Sequence, residues 1–231
     1  MATRAAHPIA NFRVGVDNVI FAVDTERSRL LVLLIKRDGD PYRDYWCLPG
    51  TLVRQNEPLK GAAERILAEK IRVENLYLEQ LFTFDPPEPS PNPYLSVSYF
   101  AIVRLADAEP LAGGAIGIAW YPVDDLPPLA FAQERIVRYG RRRLCAKLEY
   151  SPIAFEVLPE TFTLSELYQF YAAVLGDGFS DYSNFRSRLL KLGFLKTTGV
   201  KISKGAGRPA SLYRFDPQEF EPHKNKPMVF V

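Results

Sequence analysis

Cysteine and histidine are scarce in this chain of 231 residues, which contains two of each. Cys47 and Cys145 lie far apart and without C-x-x-C spacing, so we expect neither a disulfide framework nor a structural zinc site. Long apolar runs are also missing, since no stretch reaches the roughly 20 apolar residues that a membrane-spanning helix needs. Residues 1–10 lack the apolar core of a signal peptide. These absences favour a protein of the reducing cytoplasm that does not enter the membrane.

Charge is nearly balanced over the whole chain but is unevenly distributed. The formal net charge is +2, yet the segment from Asp181 to Arg214 contains eight Lys or Arg and one Asp. The segment from Phe131 to Tyr150 contains six Lys or Arg and two Glu. Because no long apolar run accompanies these basic segments, they favour a polyanionic partner such as nucleic acid over a membrane surface.

Length and periodicity predict two domains, at residues 1–150 and 151–231, with the boundary at Ser151 and Pro152. The first domain combines strands with at least two helices, which is an α+β arrangement. Its predicted strands are residues 14–23, 30–36, 51–54, 77–84, 94–104 and 116–123, and its predicted helices are residues 58–71 and 131–148.

The second domain has the order helix, turn, helix and basic hairpin, which is typical of a winged helix. Thr163 to Glu166 forms a capping-box sequence that begins a helix ending at Gly176, and Ser180 or Asp181 caps the next helix. Strands are expected at 194–200 and 211–215, with a loop at 201–210. Three apolar residues of the second helix share one face: Phe185, Leu189 and Leu192.

Polar and basic residues cover the rest of this second helix and the hairpin. In the major groove Arg pairs with guanine and Asn with adenine, whereas Lys and Ser more often contact phosphate. A solvated basic face is the commoner alternative, but the single sign of the charge and the complete domain pattern favour duplex DNA. We expect Arg208, beside Gly205 and Gly207, to enter a minor groove. The candidate DNA-binding residues are Ser183, Asn184, Arg186, Arg188, Lys191, Lys201, Lys204 and Arg208.

Residues 51–73 follow the segment Trp46 to Gly50 and resemble the Nudix box, G-x5-E-x7-R-E-U-x-E-E-x-G-U with U a bulky aliphatic residue. The matching residues are Glu57, Arg65, Leu67, Glu69 and Val73. Thr51 and Arg72 replace the two glycines. Ile66 stands where the first catalytic Glu belongs, and Lys70 stands where the last one belongs.

These replacements remove metal ligands. Nudix hydrolases as a family cleave diphosphates by means of divalent cations held on helix carboxylates, and magnesium prefers hard oxygen ligands. Ile66 offers no oxygen, Lys70 brings a cation, and only Glu69 remains of the three helix glutamates. We therefore expect no metal site, no cofactor and no appreciable hydrolase activity, and we expect Glu57 and Arg65 to form a structural ion pair.

The two halves together resemble the Nudix-related transcriptional regulators of the NrtR and AraR type, from about Phe12 to Phe215. The similar pieces are Leu48–Val53, Leu129–Phe131, Phe162–Leu167, Asn184–Arg186, Gly207–Ala210 and Leu212–Tyr213. The resemblance implies a catalytically decayed Nudix domain, an α/β/α sandwich, followed by a winged helix. It also implies a homodimer on a palindromic operator, often a repressor that responds to ADP-ribose, a related nucleotide or a sugar. Two stretches differ from the family: residues 85–93 contain no Arg, and Ala132-Gln133 replaces an Asp-His pair.

The candidate effector-binding residues are Lys36, Arg37, Trp46, Arg54 and Glu69. The three basic residues would contact phosphate and Trp46 would stack on a base, although solvated cations and a Trp46 packed under its loop are the alternatives. Two other functions stay open. One is a hydrolase that uses Glu57, Glu69 and a third carboxylate such as Glu79, and the other is a constitutive DNA- or RNA-binding protein whose first domain only dimerises.

Overall fold

The computed structural model describes residues 11–71, 76, 78–86, 94–104, 117–176, 178–203, 209–224 and 226–227. Within these residues, no helix is both long and apolar enough to cross a membrane. Several predicted features lie outside the described residues: Arg72, Val73, Tyr77, residues 87–93, Ile116, Asp177, the hairpin residues Lys204, Gly205, Gly207 and Arg208, and residues 228–231.

A mixed sheet forms the centre of the first domain. Its strands are β1 (Arg13–Asp24), β2 (Arg29–Lys36), β3 (Trp46–Cys47), β4 (Gly50–Leu52), β5 (Glu79–Phe84), β6 (Tyr94–Arg104) and β7 (Ile118–Pro122). The order is β3-β2-β1-β6-β5, with β4 paired to β1 and β7 paired to β2. β1 and β6 run parallel in the middle of the sheet. Both faces of β1 are buried, as expected for a parallel strand covered on two sides.

Helices cover the two faces of this sheet. Helix α1 (Leu59–Ile71) packs Ala62, Ala63 and Leu67 on one face, and α2 (Glu134–Tyr150) packs on the other. Gly140 brings α2 close to the sheet, because a Cβ at this position would lie 3.2 Å from the ring of Phe21. The predicted α/β/α sandwich is therefore confirmed.

The second domain is a winged helix, as predicted. Its elements are α3 (Ile153–Val157), β8 (Phe162–Thr163), α4 (Leu164–Leu175), α5 (Tyr182–Lys191), β9 (Leu195–Ile202), β10 (Ala210–Phe215) and α6 (Pro217–Phe220). The strands are ordered β8-β10-β9. Thr163 and Glu166 form the expected capping box, and α4 ends at Gly176. Asp181, not Ser180, caps α5, since its carboxylate accepts a hydrogen bond from the backbone N–H of Asn184.

The winged helix packs directly on the first domain. A single cluster of buried apolar side chains extends from Phe21 in the sheet through Leu144 of α2 to Tyr171 of α4 and Phe185 of α5. The Cys145 thiol also donates a hydrogen bond of 3.6 Å to the carbonyl of Val174. A shift of α2 is therefore transmitted to the helix-turn-helix through close-packed side chains.

Several predicted boundaries differ from the structure. The long helix begins at Glu134 instead of Phe131, because Phe131 and Ala132 have φ angles of 58° and 52°, which a right-handed helix does not allow. The strand expected at 51–54 is Gly50–Leu52, and β9 extends to Ile202, into the expected loop. Elements α3 and β8 were not predicted, since five and two residues are too short to show periodicity.

Candidate functional site

A buried polar network joins four parts of the first domain. The Asp17 carboxylate on β1 accepts hydrogen bonds from the Ser96 hydroxyl on β6 and from the Gln133 amide, the latter at 2.8 Å. The side-chain oxygen of Gln133 accepts a hydrogen bond of 2.8 Å from the backbone N–H of Leu48. A Cβ at Gly50 would collide with the Asp17 carboxylate, so glycine is required there. Gln133 immediately precedes α2 and thus fixes the start of that helix to the sheet.

This network contains a carboxyl group with an unusual pKa. Burial raises the pKa of Asp17 to about 6, although the hydrogen bonds from Ser96 and Gln133 and the charge of Arg135 favour its ionised form. Asp17 is only 3% exposed. A buried carboxyl group with a strongly raised pKa is a frequent mark of a functional site.

Aromatic rings and a guanidinium group surround Phe131, next to this network. The ring of Phe131 lies 4.9 Å from that of Tyr42 and 5.8 Å from that of Tyr94. The Arg37 guanidinium lies over the Phe131 ring at 4.8 Å. Tyr42 and Tyr45 are in contact, and each is nearly half exposed. We call Arg37, Tyr42, Tyr94 and Phe131 the aromatic pocket; it brings three aromatic rings and one guanidinium group together.

Backbone strain is concentrated at the same place. Tyr42, Asp44, Phe131 and Ala132 all have φ between 52° and 68°. A non-glycine residue in this region costs on the order of 1 kcal/mol or more, and such residues cluster at ligand-binding sites. Because the Tyr42 and Phe131 rings contact one another, the two strained segments belong to one site.

Two cations influence the thiol of Cys47, the residue after Trp46 on β3. Burial raises the pKa of the Cys47 thiol to about 11, while the nearby charges of Arg37 and Lys70 act in the opposite direction. Lys70 therefore lies within electrostatic reach of the same thiol as Arg37, and its ammonium group pairs loosely with Asp38 at 3.9 Å. The residue that replaces the last glutamate of the Nudix box is thus a cation that pairs with Asp38.

The remaining charged residues of the box form an ion-pair network. The Arg65 guanidinium donates two hydrogen bonds to Glu57, at 2.6 and 3.0 Å, which lower the pKa of that carboxyl to about 2. Glu69 pairs with Arg54 at 3.6 Å and with Arg65 at 3.5 Å. The predicted ion pair of Glu57 and Arg65 is confirmed. No group of three or more His, Cys, Asp or Glu suited to a metal ion occurs within the described part of the chain.

The candidate effector residues fall into three places. Arg37 belongs to the aromatic pocket, and Lys36 lies next to it with its ammonium group 3.8 Å from Asp44. Trp46 packs edge-on against Tyr121 of β7, with 5.0 Å between the ring centroids. Arg54 and Glu69 pair with one another on the α1 side. These two are therefore engaged by protein charges instead of facing the aromatic rings.

Sequence reasoning missed the aromatic residues and the buried polar network of this site. Asp17, Tyr42, Tyr94 and Phe131 were not among the candidates, and Gln133 was noted only as a departure from a family pair. Two signals were available in the sequence. Phe131 lies in a segment shared with a known family, and Asp17 is an acidic residue within a strand of apolar residues.

The candidate DNA-binding residues of the described second domain share an exposed surface. The outward face of α5 carries Ser183, Asn184, Arg186, Arg188 and Lys191, all of them exposed, and Lys201 is exposed on β9. Phe185 and Leu189 are buried on the opposite face of α5. The helix thus presents basic and amide groups to solvent while its apolar side holds it to the domain.

Comparison with known families identifies both domains. The model of the NUDIX domain matches residues 11–139, and the model of the AraR C-terminal winged HTH domain matches residues 150–231.

Similar proteins share both domains in the same order. The chain is 32% identical over 212 residues to the ADPR responsive transcriptional repressor NtrR of Acinetobacter baylyi, covering 89% of this chain and 83% of that protein. The structure of NrtR from Shewanella oneidensis complexed with a 27mer DNA has a TM-score of 0.71 and 31% identity, and the match covers 89% of this chain and 94% of the other. The NUDIX domain of that NrtR complexed with ADP ribose matches with a TM-score of 0.50 and 28% identity, over 59% of this chain and 90% of the other.

The raised pKa of Asp17 predicts a pH-dependent penalty on folding. The folded pKa of about 6 exceeds the ordinary value of 3.8, so stability is lost as pH rises from about 4 to 6 and stays lower above that range. Asp17→Asn removes the buried charge while it can keep both hydrogen bonds. We expect this variant to gain roughly 1–3 kcal/mol over the parent at pH 7.5 in urea unfolding, and to gain nothing near pH 4.

The control for this prediction is Asp38→Asn, since the Asp38 side chain is 93% exposed. It should show no pH-dependent gain. A difference between Asp17→Asn and the parent that is the same at pH 4 and pH 7.5 would contradict the assignment.

Proposed function

Because the chain belongs to the Nudix-related transcriptional regulators of the NrtR and AraR type, we propose that it is a repressor tuned by ADP-ribose or a closely related nucleotide. Its winged helix binds operator DNA, and its Nudix domain binds the effector. One observation carries this proposal: the same chain joins a pocket of cations and aromatic rings to a helix-turn-helix with an exposed basic face.

The chemistry of the aromatic pocket favours a nucleotide over a free sugar. The exposed Tyr42 ring, which contacts Phe131, offers a stacking surface for adenine. Arg37 and Lys70 supply positive charge for a diphosphate, and a guanidinium group binds phosphate oxygens in pairs. A free pentose has neither an aromatic ring to stack on Tyr42 nor a negative charge to pair with the cations.

We also infer that the Nudix domain does not hydrolyse its ligand. Ile66, at the position of a catalytic glutamate, is 4% exposed and offers no oxygen. Glu57 is held by Arg65. Glu79, the third carboxylate of the alternative hydrolase, lies on the α2 side of the sheet opposite Phe100 and pairs with Arg143 and Lys147. This position opposes the idea that Glu79 completes a metal site on α1.

The DNA-binding surface suggests how the repressor reads its operator. The N-terminal residues of α5 would contact base edges in the major groove, and Lys201 would contact the backbone. The family implies a homodimer, so two winged helices would bind half-sites about 34–36 Å apart, or a multiple of that distance. A palindromic operator follows from this symmetry.

We predict that Arg37→Ala weakens ADP-ribose binding at least tenfold, measured by isothermal titration calorimetry. The guanidinium group would make charge-assisted hydrogen bonds to phosphate, each worth roughly 1.5–3 kcal/mol. Arg43→Ala is the matched control, because Arg43 lies in the same loop and only pairs with Asp40 at 3.6 Å on the surface. Equal affinities for the two variants would remove Arg37 from the effector site.

We predict that the protein does not hydrolyse ADP-ribose in the presence of magnesium or manganese. The assay measures the release of AMP. The reason is the missing carboxylate cluster on α1. Measurable hydrolysis that disappears in Glu69→Gln would show that the box still holds a catalytic metal. Binding without hydrolysis, in the same samples, supports a sensor.

We predict that Arg186→Ala weakens operator binding by roughly 1–3 kcal/mol if the residue contacts a base, measured by fluorescence anisotropy. Lys196→Ala is the control, since Lys196 lies in the same domain but pairs with Glu219 at 3.3 Å; it should change affinity little. A parent protein that ignores duplex DNA even at low ionic strength would overturn the proposed function.

A further inference from the structure

A groove of about 800 Å³ lies outside both sites described above, on the outward face of α2. The helix forms one wall, and the segment that follows β7 forms the other. The charged groups that matter here are Arg138, Arg141 and Arg142 on the helix and Asp124 on the facing segment. These arginines belong to the second basic segment of the sequence, to which neither the effector site nor α5 assigns a role.

Two of the three arginines have no carboxylate partner among the described residues. Arg141 pairs with Asp124. Arg138 and Arg142 are exposed, one helical turn apart, and neither forms an ion pair within the described part of the chain. Arg142 only lies over the Tyr139 ring, at 5.4 Å. Like charges at this spacing repel one another, so an anion bound between them would be favoured.

Glu134 and Glu149 also line the groove, but within the described residues neither forms an ion pair with Arg138 or Arg142. The Glu134 carboxylate accepts a hydrogen bond from the backbone N–H of Leu129, which holds it at the start of α2. Glu149 lies seven residues beyond Arg142, or about 10 Å along the helix. On the opposite side of α2, in contrast, Arg143 pairs with Glu79. Arg138 and Arg142 thus differ from Arg143 in forming no ion pair within the described residues.

The position of the groove relates it to the helix-turn-helix. Cys145 of α2 contacts Val174 of α4, and one turn earlier Arg141 lies 3.6 Å from where a Cβ on Gly176 would be. The two helices therefore run in opposite directions along their contact. Arg138 precedes Arg141 by three residues, so it lies on the side of this contact toward which α4 ends and the turn to α5 begins. Because the N-terminal end of the recognition helix enters the major groove, this turn borders the phosphate backbone.

We propose that Arg138 and Arg142 each bind a backbone phosphate of the operator, so that the Nudix domain itself contacts DNA beside the half-site. This inference rests on the proposed DNA-binding function. Guanidinium groups suit the task, since each can donate two hydrogen bonds to one phosphate. The contact carries no sequence information but fixes the orientation of α2 on the duplex.

The test is the salt dependence of operator binding by the full-length protein. Arg138→Gln and Arg142→Gln should each lower the slope of log K against log salt concentration by about 0.9 for every phosphate that the variant no longer neutralises. Arg143→Gln makes the same change of charge on the same helix, but its guanidinium is engaged by Glu79, so the slope should not change. A slope equal to that of the parent in both test variants would overturn the proposal.

Two further measurements separate this proposal from its alternatives. The affinity for ADP-ribose should be unchanged in Arg138→Gln and Arg142→Gln. If these variants instead bind ADP-ribose more weakly and keep the salt slope of the parent, the groove binds a free nucleotide and the DNA contact is refuted. A parent protein that binds no duplex would refute the proposed function itself. If Arg186→Ala reduces DNA binding while the two groove variants keep the salt slope of the parent, the groove contact is refuted and the proposed DNA-binding function stands.

Discussion

The simultaneous packing of α2 against the sheet and against α4 is the constraint on which the rest of the structure depends. Gly140 allows the helix axis to approach Phe21, and Leu144 and Leu148 fill the space between the layers. From the other side, the thiol of Cys145 reaches the backbone of α4. Since interiors of this density do not compress, α2 cannot shift on the sheet without a corresponding shift of the winged helix.

The start of α2 connects this helix to the aromatic pocket. Gln133 precedes the helix and is held by Asp17 and by the backbone of Leu48. Phe131, two residues earlier, forms a wall of the aromatic pocket with a left-handed backbone. A ligand shifts an equilibrium only through different affinities for the two states. A nucleotide that binds one arrangement of Phe131 better than another would therefore act directly on the position of α2.

Regular elements and capping could be predicted from the sequence because their causes are local. The capping box at Thr163 and the end of α4 at Gly176 depend on neighbouring residues, and both were confirmed. The pocket could not be predicted in the same way. Its parts come from residues 37–42, 94 and 131, and nothing local requires a left-handed φ at Phe131. Likewise, the sequence shows that Arg54 and Glu69 are charged, but only the tertiary structure pairs them with one another.

The altered Nudix box is consistent with a change from metal-dependent to direct recognition of phosphate. A hydrolase holds a divalent cation on its glutamates, and that cation contacts the diphosphate. In this chain Lys70 carries a positive charge that pairs with Asp38 at 3.9 Å, while Ile66 is buried in the interior. A fixed ammonium group attracts a diphosphate but does not activate water for attack on it. The two replacements therefore remove two of the helix carboxylates on which a metal-dependent hydrolase relies.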